Sequence, residues 1–524
     1  MRNIKKDFQT LFTIGSLTLL IPFFGYFFQI ESLFSVRTFQ FSFVFFLLIF
    51  SLRNKAFFKT YFKSHYLQSS SKLREYLFSR TNLLLVIMTL LYVLQGVSNF
   101  YGLRILSADY SLFDLMLKNY WENGTWHTEA CDCNHFGYHT NYIFYILTWV
   151  HWVFKSPLFM NILQGIVIMT GIFPLKSLMR SFKIPPVESF LFCLLYLNYV
   201  QFSIILKYNF HVEIFYIPFF LWLFSDIVKG KIPLIPVLLC LSVREDAGLY
   251  TTATLIAGAL FYNLNKAFVA GASMVSLGVF YTSFEFILPY FRGEDGDAMA
   301  IPARDYKYGK SIKEVAINML SNPFAPMKDI FMGHWWKFVA KFAFLPALSK
   351  TFFIAVFPLL LLFCTVSFDY MRMFALYYSA SLIPFLLFGM LESFSRIKLR
   401  PSLKFSIVCF IFILNSLVGS GYPRYAKRSP QYDEYQKILS QYEGKTLCLQ
   451  SNLIPVTAYK FRFKEFSKCH KHEFDVMILN RALHWHPYEV PEHFENQIKA
   501  VLESKNSDYQ KSKKRNFEIW TKMK

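Results

Sequence analysis

Four short stretches of this 524-residue chain place ionisable and aromatic side chains at the ends of apolar runs. The first is Ser107-Ala108-Asp109-Tyr110-Ser111-Leu112-Phe113-Asp114, followed further on by Asn134-His135-Phe136. The second is Asn209-Phe210-His211-Val212-Glu213, the third Val243-Arg244-Glu245-Asp246-Ala247, and the fourth Tyr377-Tyr378-Ser379. Charge at the border of an apolar run is costly to bury and marks function by default. A partly buried carboxylate serves as a general base toward a hydroxyl when burial lifts its pKa. An arginine takes a phosphate through a two-pronged contact, and a histidine can help neutralise it. The bland alternative for each stretch alone is an interfacial ion pair, such as Arg244 with Asp246, or a snorkelling side chain. That alternative serves Glu213 or Tyr377 well. It serves Asp109 poorly, because a like-charged neighbour, Asp114, beside an aromatic-rich span has little stabilising rationale.

These stretches are held by apolar segments. The chain is 54% apolar and only 17% charged, with 62 Phe, which excludes collagen-like, disulfide-scaffold and disordered classes and makes the bilayer its expected solvent. A helix crosses the hydrocarbon in about 20 residues. Candidate runs lie near 12–30, 39–52, 82–101, 158–179, 187–206, 213–228, 232–244, 249–264, 267–290, 338–349, 351–367, 374–391 and 404–421. The expected fold is therefore an all-α polytopic membrane protein of about thirteen helices. The runs 232–244 and 338–349 are short enough to be tilted spans or half-helices lining a polar cavity.

The formal charge of +21 is concentrated in short connections rather than in a nucleic-acid-binding face, so no nucleic-acid partner is expected. Arg2, Lys5 and Lys6, the group from Arg53 to Arg80, then Lys176, Arg180 and Lys183, Lys229 and Lys231, and Arg396 to Lys404 all fall on one side if the runs alternate. The positive-inside rule makes that side the cytoplasm, with the amino terminus inside and the carboxyl terminus outside a cytoplasmic (inner) membrane. The first run ends in Phe27-Phe28-Gln29-Ile30-Glu31 without a small-residue cleavage site, and reads as an uncleaved anchor. Two long outer loops, 102–157 and 291–337, carry most of the acidic side chains. Within the first, 141–154 is apolar and aromatic but short, and is expected to lie along the interface instead of spanning. The division expected is an N-terminal two-helix extension with a basic loop (1–80), a transmembrane domain (81–421) and a small soluble extracytoplasmic α/β tail (422–524). In that tail Thr446–Asn452, Phe461–Phe466, Phe474–Asn480 and Phe517–Met523 read as strands and Glu492–Ser504 as a helix.

Of the eight cysteines, four lie inside apolar runs and read as small core residues. Cys448 and Cys469 share the outer tail and could pair in an oxidising compartment. Cys131-Asp132-Cys133-Asn134-His135, with His127 and His139 near, offers metal-ligand chemistry, but its spacing is not that of a recognised zinc site; a solvated loop or a disulfide is the simpler reading. No cofactor is assigned, and a divalent metal stays open.

The order Asp109-Tyr110-Ser111-Leu112-Phe113-Asp114, His135-Phe136, Asn209-Phe210-His211, Val243-Arg244-Glu245-Asp246 and Tyr377-Tyr378-Ser379 with Pro384-Phe385-Leu386 resembles the bacterial and archaeal membrane-protein family known as domain of unknown function 2079. That family runs roughly D-L-G-x-F-D, H-F-S-P, D-F-H-P, V-R-E-D and Y-S. The resemblance covers residues 100–420 and, more loosely, the tail, with Tyr306-Lys307-Tyr308-Gly309-Lys310-Ser311 in the second loop. Here Ser111 replaces the glycine, Gly137-Tyr138 replaces Ser-Pro, Asn209 replaces an aspartate and Val212 a proline, and 1–80 lie outside the pattern.

The family is similar in layout to polytopic glycosyltransferases of the GT-C fold, such as protein O-mannosyltransferases. The resemblance implies transfer of a sugar from a polyprenyl-phosphate donor to an envelope glycan, lipid or protein at the outer face of the membrane. It implies Asp109 as the base that deprotonates the acceptor and Asp114 as a second acidic contact. His135, His211 and Arg244 would meet the lipid phosphate, Glu245 and Asp246 the sugar hydroxyls, and Tyr378 would line the substrate site. One base and direct displacement imply inversion at the anomeric carbon. Two other classes compete: a transporter or lipid flippase, which an internal repeat would favour and none is found, and a non-catalytic scaffold of envelope assembly. No Gly-rich phosphate loop is found, which disfavours a cytosolic nucleotide-sugar donor.

Overall fold

The computed structural model describes residues 69–105, 108–128, 133–292, 307–309, 312–418, 429–457, 461–483, 491–505 and 509–523. The predicted spans 12–30 and 39–52, and with them most of the N-terminal extension, lie outside the described residues. So do Cys131 and the acidic stretch Glu294–Asp305 of the second loop.

The first described helix, α1 (Ser71–Tyr101), starts where the Ser70 hydroxyl accepts from the Leu73 backbone N–H at 3.2 Å, an N-cap that supplies one of the orphan donors of the first turn. Its 31 residues exceed the length needed to cross a membrane. After it come α2 (Ala108–Asn123) and α3 (Ile143–Phe154), then α4 (Phe159–Thr170) continued by α5 (Ile172–Ser181), and α6 (Pro186–Leu197) continued by α7 (Val200–Lys207). The middle of the chain holds α8 (Tyr216–Val228), α9 (Leu234–Val243), α10 (Ala247–Phe261), α11 (Lys266–Thr282) and α12 (Leu288–Arg292). Then follow α13 (Ile312–Ser321), α14 (Phe324–Met332), α15 (Trp336–Lys341), α16 (Lys350–Cys364), α17 (Ser379–Arg396) and α18 (Pro401–Val418).

Five of these stretches are long and apolar enough to cross a membrane: Ser71–Tyr101, Phe159–Ser181, Pro186–Lys207, Lys266–Arg292 and Asp369–Arg396. The expected count of thirteen is not reached among the described residues. The runs 232–244, 249–264, 351–367 and 404–421 become shorter helices, and 213–228 becomes a 3-10 turn, Val212–Phe215, leading into α8. The run 338–349 is not one helix at all: Ala343 and Phe344 take positive φ (50° and 57°) between α15 and the 3-10 turn Leu345–Leu348. Hydropathy registers that run as apolar but cannot register where the backbone turns.

Packing is antiparallel and close where α1 meets α4. A Cβ at Gly96 would come within 2.9 Å of the Asn161 carbonyl oxygen, and one at Gly165 within 3.1 Å of the Val93 nitrogen. Small residues permit this approach, which is how helices associate where lipid provides no hydrophobic drive. Elsewhere phenylalanines fill the bundle, as where Phe224 of α8 stacks on Phe388 of α17 with centroids 4.0 Å apart.

The run 141–154 forms helix α3, whose 12 residues are too few to cross a membrane; it buries Phe144, Leu147 and His151 while exposing Trp149, Trp152, Val153 and Phe154.

The tail forms a five-stranded sheet ordered β4-β3-β5-β7-β6, from β3 (Thr446–Leu449), β4 (Arg462–Glu465), β5 (Val476–Asn480), β6 (Tyr509–Lys514) and β7 (Phe517–Lys522); a two-residue pair, β1 (His127–Thr128) with β2 (Cys133–Asn134), lies in the first loop. β3 is parallel to β4 and β5, and β7 is antiparallel to β5 and β6. Helices α19 (Pro430–Leu439) and α20 (Pro491–Glu503) cover opposite faces, and Cys448 and Cys469 are joined in a disulfide. Strand β6, all but unburied along its length, is the strand the sequence does not announce. The tail is not a free appendage: Leu103 and Leu115 of the membrane part enter its core, and the Asn452 amide donates to the Ile105 carbonyl at 3.0 Å.

Candidate functional site

The link between α9 and α10 is the centre of the site. Helix α9 stops after ten residues, Arg244 is extended (φ −162°, ψ 157°), and Asp246 precedes the first turn of α10. Two half-length helices thus abut at an irregular tripeptide, a backbone arrangement tolerated at membrane depth only inside protein or beside a wet cavity. Arg244 Nη1 donates to Glu213 Oε1 at 2.9 Å and its Nε to Glu245 Oε1 at 3.3 Å, with Asp246 Oδ2 at 3.7 Å from Nε. Glu213, Glu245 and Asp246 are all buried. Among the described residues no hydrogen bond uses Arg244 Nη2, and the buried Glu213 Oε2 has no partner.

The segment between α2 and α3 clamps onto this tripeptide. His139 Nδ1 lies 2.8 Å from Glu245 Oε1, and the Thr140 backbone N–H donates to Glu245 Oε2 at 3.0 Å. The Asn141 amide donates to the Val243 carbonyl at 2.7 Å, and its Oδ1 meets His135 Nε2 at 2.7 Å. Asp246 accepts from the hydroxyls of Tyr216 at 2.9 Å and Tyr250 at 2.8 Å. Burial favours the neutral form of Glu245, yet the His139 ring and the Arg244 guanidinium hold its carboxyl down at about 2. For Asp246, burial outweighs the guanidinium and, with the Glu245 charge beside it, raises the carboxyl above the ordinary aspartate range. Two adjacent carboxyls are thus pushed apart in acidity, which is the pattern of sites that assign different roles to like groups.

Phe113 of α2 ties the clusters together. Its ring meets His135 edge-on at 5.2 Å and His211 at 5.9 Å. His211, extended after the left-handed Asn209 (φ 68°), stacks face to face on Tyr377, with centroids 3.5 Å apart and 12° between planes. The Tyr377 hydroxyl donates to that of Tyr378 at 2.8 Å.

The structure therefore brings together His135, His211, Arg244, Glu245 and Asp246, with Tyr378 joined through Tyr377. Asp109 sits in the first turn of α2, but its side chain lies outside the described residues. It stands one helical turn before Phe113, so the two positions share a helix face. Asp114 turns elsewhere: its Oδ1 lies 3.2 Å from His151 Nε2 of α3, both side chains being buried at 1% and 0% exposure. It is joined to α3 by this contact.

Sequence reasoning missed His139, Asn141, Tyr216, Tyr250 and His151 as participants. Tyr250 was findable, since it lies four residues after Asp246 on the same helix face; His139 and Tyr216 reach the site only through tertiary packing. As to a metal, no three His, Cys, Asp or Glu side chains converge among the described residues in a way that could hold one. The carboxylates are instead turned to Arg244, His139 and tyrosine hydroxyls. Cys133 is disulfide-bonded, so its thiol is not a metal ligand.

No curated protein and no solved structure matches the chain. The family described as Predicted membrane protein (DUF2079) matches residues 103–430, a span holding every residue of the site and more than half of the sequence. The chain belongs to that family of membrane proteins.

Proposed function

We propose that this membrane protein is an inverting glycosyltransferase of GT-C-like layout that moves a sugar from a polyprenyl-phosphate donor to an envelope glycan, lipid or protein at the outer face of the cytoplasmic membrane. The observation that carries the reading is the Arg244 guanidinium, fixed at Nη1 by Glu213 and at Nε by Glu245 while Nη2, between them, makes no hydrogen bond among the described residues. A pre-oriented arginine nitrogen beside two histidines suits a departing phosphate. In this scheme Asp109 takes the proton from the acceptor hydroxyl, the acceptor oxygen bonds to the anomeric carbon, and the bond from that carbon to the phosphate oxygen breaks. The polyprenyl phosphate leaves toward Arg244, His135 and His211. Asp246 and Glu245 hold sugar hydroxyls, Tyr377 and Tyr378 flank the ring, and Asp114 orders α3 through His151. The N terminus lies inside and the tail outside, over the helix that carries Asp109.

Envelope glycolipids and glycans from a deletion strain, compared with those from strains restored by native protein or Asp109→Asn, test the scheme. Loss of one sugar on deletion, restored only by the native gene, is the expected result. Restoration by both removes Asp109 as base, and no change in any envelope sugar removes the transferase.

One observation favours a second reading, a transporter or lipid flippase. Asn161 and Asn209 are fully buried, and both amide atoms of each lack a partner among the described residues. Such groups line hydrophilic routes through membranes. An unaltered envelope chemistry together with a lost permeation or lipid-translocation activity would select it.

A further inference from the structure

At the opposite end of the bundle, α1 and α5 line a half-open cavity of about 310 Å³ whose walls include Glu75, Phe78, Asn82, Phe173, Lys176 and Arg180. Lys176 is 5% exposed, and its ammonium donates to the Phe78 carbonyl at 3.1 Å and to Asn82 Oδ1 at 2.7 Å. An ammonium has three donors, and among the described residues the third has no acceptor. Arg180, one turn further along α5, donates to both oxygens of Glu75 at 2.9 Å. Both cations stand over the same ring, Phe78, at 5.3 and 5.0 Å from its centroid. Two positive side chains thus share one carboxylate, leaving the cavity with net positive charge at the chain's Lys/Arg-rich membrane border.

The register of the pair extends the cavity into a furrow. Asn82 meets Lys176, and the backbone at Tyr92 and Val93 meets Gly165, so α1 and the α4–α5 helix run antiparallel and Leu83 lies level with Phe173 and Leu90 with Ile166. Leu83, Val86, Leu90, Phe173 and Ile166 are all exposed large apolar side chains. A polar, cationic mouth above an apolar furrow has the chemistry of a phosphodiester headgroup with acyl chains below it.

We infer that this cavity is a binding site for an anionic phospholipid, with its phosphate against Lys176 and Arg180 and its chains along Leu83, Val86 and Phe173. The site is independent of the sugar-transfer reading, since none of its residues belongs to the Arg244 cluster. Glu75 competes with the phosphate for Arg180, so the site discriminates by charge instead of by headgroup shape.

The full-length protein in detergent micelles carrying phosphatidylglycerol or phosphatidylcholine at equal mole fraction, read by native mass spectrometry and by the midpoint of thermal unfolding, tests it. The native chain is expected to retain phosphatidylglycerol preferentially. Lys176→Met and Arg180→Gln each lower that preference about fivefold, and Glu75→Gln raises it. Should Lys176→Met fail to fold, Arg180→Gln carries the test, because the Arg180 side chain is 45% exposed. A preference unchanged in Arg180→Gln overturns the site. If inorganic phosphate or glycerol 1-phosphate alone protects the native chain as well as the lipid does, the ligand is a soluble phosphate and the lipid assignment falls.

Discussion

At the residue scale Arg244 is the pivot of the site. A buried pair that loses one partner leaves an uncompensated charge, typically at a cost of about 3–5 kcal/mol. Arg244→Gln leaves Glu213 without its cation and removes the guanidinium from Glu245 and Asp246, which keep His139 and the tyrosine hydroxyls, so it is expected to lower the unfolding midpoint strongly, while Glu213→Gln, which leaves Glu245 to pair with the arginine, costs less; a thermal melt of both variants in the same detergent checks the order. Glu245 gives a pH signature. Its folded carboxyl sits near 2, below an unfolded value of about 4.3, so its contribution is fully present above the unfolded value and is lost as pH falls through the folded one. The unfolding midpoint of the native chain should therefore fall more steeply between about pH 4 and pH 2 than that of Glu245→Gln. The residues behind both predictions were legible because charge at the border of an apolar run is rare. Their partners were less so: the tyrosines on Asp246 and the histidine on Glu245 come from positions 216, 250 and 139, and only Tyr250 shares a helix face with its acceptor.

At the element scale, α2 is the piece that joins the site to the tail. It carries Asp109 in its first turn, sends Phe113 between His135 and His211, pairs Asp114 with α3, and gives Leu115 to the core beneath the sheet. Four of the tail's five strands and one of its two helices, α20, were readable from alternation and turn residues; α19 was not. The docking was not, because Leu103 and Leu115 look like any residues flanking a membrane span. The disulfide between Cys448 and Cys469 closes a loop with a sequence separation of 21, worth about 3 kcal/mol by chain entropy. Cys448→Ser should lower tail stability by about that amount, seen as faster proteolysis within 429–523, and native protein with reductant should behave alike. The broken run at 338–349 carries the opposite lesson, since apolar composition there concealed two residues with left-handed backbone.

At the scale of the whole molecule, the helices set two chemistries at opposite borders. One end gathers Arg244, His135, His139 and the tail; the other carries Lys176, Arg180 and Glu75. Membrane class and family were readable from composition and from the order of the polar clusters. The number of spans was not, because α9, α10 and α16 are too short to be counted by a 20-residue rule. Their shortness is also what lets irregular backbone reach the site. The most direct measurement uses purified protein in proteoliposomes with a polyprenyl-phosphate-linked sugar and an acceptor extract, scoring acceptor-dependent release of polyprenyl phosphate. Release by the native chain and its loss in Asp109→Asn, with insertion and thermal midpoint preserved, is the expected result. Release that is undiminished in Asp109→Asn and in Arg244→Lys would contradict it.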